Sequence, residues 1–135
     1  MQAACRLAPH PTSLRAARDF ASEVLGEEPS PFMALVGLLV TELVTNSLLA
    51  TGKVRWAAER PPVRLWLLAG RDGILVAVWD AVTSMPQPRA AGELDESGRG
   101  LQLVQHYSAR WDCYQPPAPH AGKVTRALIT SPIIE

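Results

Sequence analysis

The chain has 135 residues, with thirteen basic side chains against thirteen acidic ones, 47% apolar and 19% charged. That length suits one domain with a sizeable core and argues against a second, and the apolar share is far from the composition of a disordered segment. A net charge of zero supplies no field to draw the chain to nucleic acid or an anionic membrane surface, so partner choice rests on local chemistry.

The opening Met-Gln-Ala-Ala-Cys-Arg has no long apolar run of the kind a secretory signal carries. Cys5 and Cys113 have no metal-ligand spacing and read as two buried thiols rather than a disulfide, which fits a reducing cytoplasm. Eleven of the thirteen basic residues are arginine, the exceptions being Lys53 and Lys123, and no function follows from that bias. Residues 3–8 alternate poorly and end at a Pro-His-Pro break. Thr12-Ser13 is then placed to cap a helix whose apolar positions Leu14, Ala17, Phe20, Ala21, Val24 and Leu25 follow the helical period and which Gly26 ends. Ser30 before Pro31 is a cap followed by a first-turn proline and starts a second helix, expected to reach about Ala50 and to stop at Thr51-Gly52. This is the most apolar stretch of the chain, but Glu42, Asn46 and small polar residues interrupt it, and no membrane span is expected.

After a connection over 54–62, Val63, Leu65 and Leu67 alternate with their neighbours, Arg71-Asp72-Gly73 makes a turn, and Ile74 to Trp79 returns as a nearly continuous apolar strand. Both strands are expected to be central. Residues 81–97 show neither period and are rich in proline, small side chains and charge, which marks a long functional loop or lid. Gly98-Arg99-Gly100 leads into a helix carrying Leu101, Leu103, Val104 and Tyr107. Arg110 to Tyr114 and Val124 to Ile129 close the chain as two strands around a proline-rich turn.

Three groups of residues carry possible chemistry. Glu42 and Asn46 are four residues apart on a helix, a rotation of about 400°, so carboxylate and amide share one face a turn apart. An amide oxygen there can ligate Mg²⁺ while the carboxylate polarises a hydroxyl; the plainer alternative is a solvent-facing Glu and a loop-capping Asn. Asp80 ends a buried strand, where a carboxylate can accept from the exocyclic amine of adenine or merely start a turn. Gly98-Arg99-Gly100 before a helix allows close approach of a polyanion to unpaired N–H groups, or is only a turn.

Taken in order, Glu42-Leu-Val-Thr-Asn46, a strand ending in Asp80, and Gly98-Arg99-Gly100-Leu101 opening a helix resemble the N, G1 and G2 boxes of the GHKL or Bergerat-fold ATPases. The resemblance covers nearly the whole chain and is strongest to the short branch that contains the anti-sigma-factor serine kinases, with Pro11 to Phe20 similar to its first helix and Gly122-Lys123-Val124 to the entry of its last strand. It implies a two-layer α/β sandwich over residues 1–135, a mixed, mostly antiparallel sheet covered on one face by helices, and an ATP lid at 81–97. It further implies ATP and Mg²⁺ as cofactors, Glu42 as the catalytic base and Asn46 as the metal ligand. The nucleotide contacts implied are Asn46, Asp80, Thr83, Gly98, Arg99, Gly100 and Leu101. The partners implied are an anti-sigma-factor antagonist that receives the γ-phosphate on a serine and a sigma factor that is sequestered, with a homodimer as the assembly.

The chain departs from that pattern at two places. Many relatives have Asp-x-Gly-x-Gly where this chain has Asp80-Ala81-Val82-Thr83-Ser84, and Leu48-Leu49-Ala50 replaces a basic or histidine side chain, leaving Arg89 and Arg99 as the cations near the lid. The alternative function is therefore a non-catalytic module that sequesters a partner with weak or no nucleotide binding. His10, His106 and His120 lie apart in sequence and read as structural, Trp66, Trp79 and Trp111 as core or groove-lining residues, and Trp56 as a partly exposed contact residue.

Overall fold

A computed structural model describes residues 1–26, 30–83 and 96–130; the side chains of 96–100 are outside that description. In chain order the elements are β1 (Gln2–Leu7), α1 (Ser13–Leu25), α2 (Pro31–Lys53), β2 (Val63–Ala69), β3 (Gly73–Asp80), α3 (Glu96–Tyr107), β4 (Arg110–Tyr114) and β5 (Lys123–Thr130). The strands form one sheet in the order β1-β2-β3-β5-β4.

Side-chain alternation decides which face of the sheet is covered. Val63, Leu65 and Leu67 on β2, Ile74, Val76 and Val78 on β3, and Ala127 and Ile129 on β5 are all buried. Their neighbours Arg64, Trp66, Leu75, Trp79, Arg126 and Leu128 point the other way and stay partly or fully exposed. The covering layer is chiefly α2, whose buried residues Val36, Leu39, Val40, Leu43, Val44, Ser47, Leu48 and Thr51 recur at helical spacing and form one stripe. α1 packs on α2 and β1, and α3 packs on α2 and β4. Helices on one side of a five-stranded sheet give the expected α/β class. The sheet is not mixed, however: all four pairings are antiparallel.

α2 has the length and apolar content of a membrane-crossing helix. Its apolar stripe is instead taken up by the sheet, and Leu39, Val40, Leu43 and Val44 are at most 1% exposed. Ser30 begins the helix as expected: its backbone is extended and its hydroxyl accepts from the Met33 N–H at 3.0 Å, with Pro31 in the first turn. The helix continues past Ala50 to Lys53. The polar Thr51 does not stop it, because its hydroxyl donates back to the Ser47 carbonyl at 2.7 Å and the side chain is buried. Trp56 is partly exposed, as expected, and its indole N–H donates to the Thr51 carbonyl at 2.8 Å and satisfies one of the last-turn acceptors.

Two other local expectations are corrected. Thr12 makes no side-chain cap on α1; the start is closed by backbone bonds, Ser13 N–H to the His10 carbonyl and Leu14 N–H to the Pro11 carbonyl. Residues 2–7 do form a strand, an edge strand paired with β2 from Gln2↔Leu68 to Leu7↔Val63. No disulfide can join the two cysteines, since Cys5 lies on β1 and Cys113 on β4, the opposite edges of the sheet. Strands are spaced by about 4.8 Å, so four spacings hold them far beyond bridging distance.

Candidate functional site

Asp80 is the last residue of β3 and faces the helical layer, in phase with Ile74, Val76 and Val78. Directly opposite it in the β3–β5 register is Lys123, the first residue of β5. Both are buried, Asp80 completely, and the Lys123 ammonium donates to Asp80 Oδ1 at 2.7 Å. The Val82 N–H donates to the same oxygen at 3.0 Å, and the ammonium also donates to the Val82 carbonyl at 3.3 Å. The other carboxylate oxygen, Oδ2, is buried and has no hydrogen-bond partner among the described residues. An ionised oxygen in that condition is costly unless something donates to it.

The chain entering β5 is shaped to hold this pair. Gly122 has φ +84, and a Cβ there would meet the Asp80 carbonyl oxygen and the Trp79 indole nitrogen, so only glycine lets the two strand ends close. The Trp79 indole donates to the Ala121 carbonyl at 2.9 Å and fastens the same turn from the outer face.

On α2, Glu42 and Asn46 flank the buried stripe a turn apart, both partly buried. Glu42 lines a groove between α1 and α2, together with Arg18, Met33 and Thr41. Burial raises its pKa above the ordinary carboxyl value, which makes it a stronger base once ionised. Neither expected plain role applies: Glu42 is not fully solvated, and Asn46 caps no loop among the described residues. The Asn46 amide nitrogen Nδ2 is buried without a partner among the described residues. α2 packs against β3, β5 and α3, so the helix bearing Asn46 borders both the strand that ends in Asp80 and the strand that begins with Lys123.

The remaining expected residues divide. Thr83 is exposed, and its carbonyl accepts from the Gln115 side-chain amide at 3.0 Å. α3 already begins at Glu96, so Gly98-Arg99-Gly100 lie in its first turns instead of preceding it. The four N–H groups from the cap residue through the third helical residue lack an intrahelical acceptor, which puts Gly98 last in the donor set and Arg99 and Gly100 past it. Leu101 is 1% exposed and belongs to the core, so its side chain is not a ligand contact. At the two ends of the segment expected as a lid over 81–97, Val82 is buried and tied to Asp80, and Glu96 and Ser97 are helical. Residues 84–95, with Arg89, lie outside the described residues.

Lys123 went unassigned as a site residue in the sequence. Its signal is its rarity, one of two lysines in an arginine-rich chain, combined with an inward phase: Lys123, Thr125, Ala127 and Ile129 alternate as the buried face of β5. Of the tryptophans, Trp111 packs on the core, while Trp66 and Trp79 line a groove of about 610 Å³ on the open face of the sheet.

Among the described residues no three of His, Cys, Asp and Glu come together as a metal site. The orphaned amide end of Asn46 has two uses: as placed it offers N–H to a phosphate oxygen, and turned end for end it offers Oδ1 to a cation. Asp80 Oδ2 fits an incoming amine. No protein-family model matches the chain, and no curated protein matches its sequence.

Proposed function

We propose that this protein is a cytoplasmic regulator of the Bergerat-fold type, in which ATP with Mg²⁺ binds between α2, α3 and the β3–β5 strand ends and the γ-phosphate passes to a serine of a partner protein. The observation that carries the reading is the pair of buried polar atoms without a partner among the described residues, Asp80 Oδ2 and Asn46 Nδ2, on packed neighbouring elements. Buried polar atoms are nearly always satisfied, and two that are not, one acceptor and one amide, point to a ligand that supplies the partners. An adenine amine supplies the donor that Asp80 Oδ2 lacks, and a phosphate oxygen supplies the acceptor that Asn46 Nδ2 lacks.

In this reading Asp80 Oδ2 accepts from the base and the first turn of α3 offers N–H groups to the phosphates. Asn46 holds the Mg²⁺ end of the nucleotide, and bound Mg²⁺ neutralises charge on the transferring phosphoryl group. Glu42, one turn from Asn46 on α2 and with its raised pKa, takes the proton from the acceptor serine hydroxyl as the new O–P bond forms and ADP leaves. The acceptor belongs to an anti-sigma-factor antagonist-like protein, and the same protein surface engages a sigma factor.

Radiolabelled ATP incubated with candidate antagonist proteins tests this directly. Label on a partner serine, lost in E42A while nucleotide binding persists, is the expected result; nucleotide binding without label on any serine removes the kinase assignment. A second reading, a partner-sequestering module without nucleotide chemistry, is favoured by one observation: Lys123 already neutralises Asp80 as a buried ion pair. Absence of binding heat at millimolar Mg·ATP would leave only that second reading.

A further inference from the structure

The carboxylate that would read the base is held by only one of its oxygens. Asp80 Oδ1 accepts from Lys123 Nζ at 2.7 Å and from Val82 N–H at 3.0 Å, which uses both of that oxygen's lone pairs. Oδ2 accepts from nothing among the described residues. The asymmetry is enforced from outside the carboxylate. Lys123 is locked by the β3–β5 register opposite Asp80 and by its second bond to the Val82 carbonyl, and the turn at Gly122 that starts β5 admits no side chain.

This matters for base selection. Guanine presents two parallel donors on one edge, its ring N1–H and its 2-amino group, and a carboxylate with both oxygens open accepts them as a pair. Adenine presents one donor group there, the 6-amine, and hypoxanthine presents N1–H alone. We infer that Lys123 is a specificity-determining positioning residue, which closes Oδ1 so that Asp80 reads a single donor and gains nothing from the 2-amino group of guanine. The assignment rests on the nucleotide reading proposed above and extends it to a residue that would not touch the base.

The test is calorimetric titration of the full chain with the magnesium salts of ADP, GDP and IDP, for the wild-type protein and for Lys123→Met, whose fold is checked by its melting curve. In the wild type, GDP and IDP bind equally weakly and ADP binds tightest. In Lys123→Met one lone pair on Oδ1 is freed, and GDP gains over IDP by roughly tenfold, the equivalent of one added hydrogen bond to a charged group. A purely structural lysine would weaken all three nucleotides alike, so an unchanged GDP-to-IDP ratio in the folded variant overturns the assignment. Should the variant fail to fold, the wild-type titration still decides, because GDP binding some tenfold tighter than IDP would mean that both oxygens are open. A wild-type protein that binds none of the three overturns the nucleotide reading itself, and this assignment with it.

Discussion

Glu42 is a carboxylate partly withdrawn from water, and burial raises its pKa. The folded protein thus holds the Glu42 proton more tightly than the unfolded chain, where the ordinary value is 4.5. Its favourable contribution is complete below that value and is lost as pH rises through the raised one, so at neutral pH the ionised side chain is a net cost. Glu42→Gln is expected to melt higher than wild type at neutral pH, with the advantage shrinking as pH falls through the raised value and gone below 4.5, and to lose phosphoryl transfer. An equal gain at every pH would show that charge is not the cause. The Asp80–Lys123 pair behaves in the opposite way. Removing one partner strands the other charge at 0–5% exposure, so Asp80→Ala should cost roughly 3–5 kcal/mol in urea denaturation, while the double variant D80L/K123M should return near wild type. Asp80, Glu42 and Asn46 were legible in the sequence as positions, from strand phase and helical spacing. Lys123 was not, because nothing in a linear string says that the first residue of one strand stands opposite the last residue of another.

Helix ends and strand ends follow local rules only as far as nothing non-local intervenes. Ser30-Pro31 announces α2 and the structure agrees, so Ser30→Ala should lower stability by about 1 kcal/mol through loss of the bond to Met33 N–H, read from the denaturation midpoint. The far end was misjudged by three residues, since Thr51 was taken for a terminator; with its hydroxyl returned to the Ser47 carbonyl it sits within the helix, and Trp56 supplies the cap from five residues away. β1 escaped notice for a different reason. Its inward residues Ala3, Cys5 and Leu7 do alternate with Gln2, Ala4 and Arg6, but alanine on both faces erases the contrast that period two depends on. The hairpin from β2 to β3 was legible because large apolar residues mark one face and Asp72-Gly73 marks the turn.

At the scale of the molecule, three helices on one side of an antiparallel sheet follow from one long apolar helix and several alternating strands, and that much was readable from pattern. The order β1-β2-β3-β5-β4 was not, since β5 inserts between β3 and β4 by long-range pairing. That insertion brings Lys123 to Asp80 and sets the strand ends against α2, which carries the unsatisfied Asn46 amide. The candidate site is therefore a product of topology, which brings Lys123, unmarked in the sequence, to residues that were individually visible.

The central claim is that Asp80 Oδ2 awaits a donor from a nucleotide base. Isothermal titration with Mg·ATP, comparing wild type with Asp80→Asn, tests it most directly. The substituted amide can still accept from Lys123 through its oxygen while turning an N–H toward the base. The account predicts saturable binding by the wild type and a loss of roughly ten- to a hundredfold in the variant. Equal affinity in the two proteins, or no binding by the wild type at millimolar nucleotide, would contradict it.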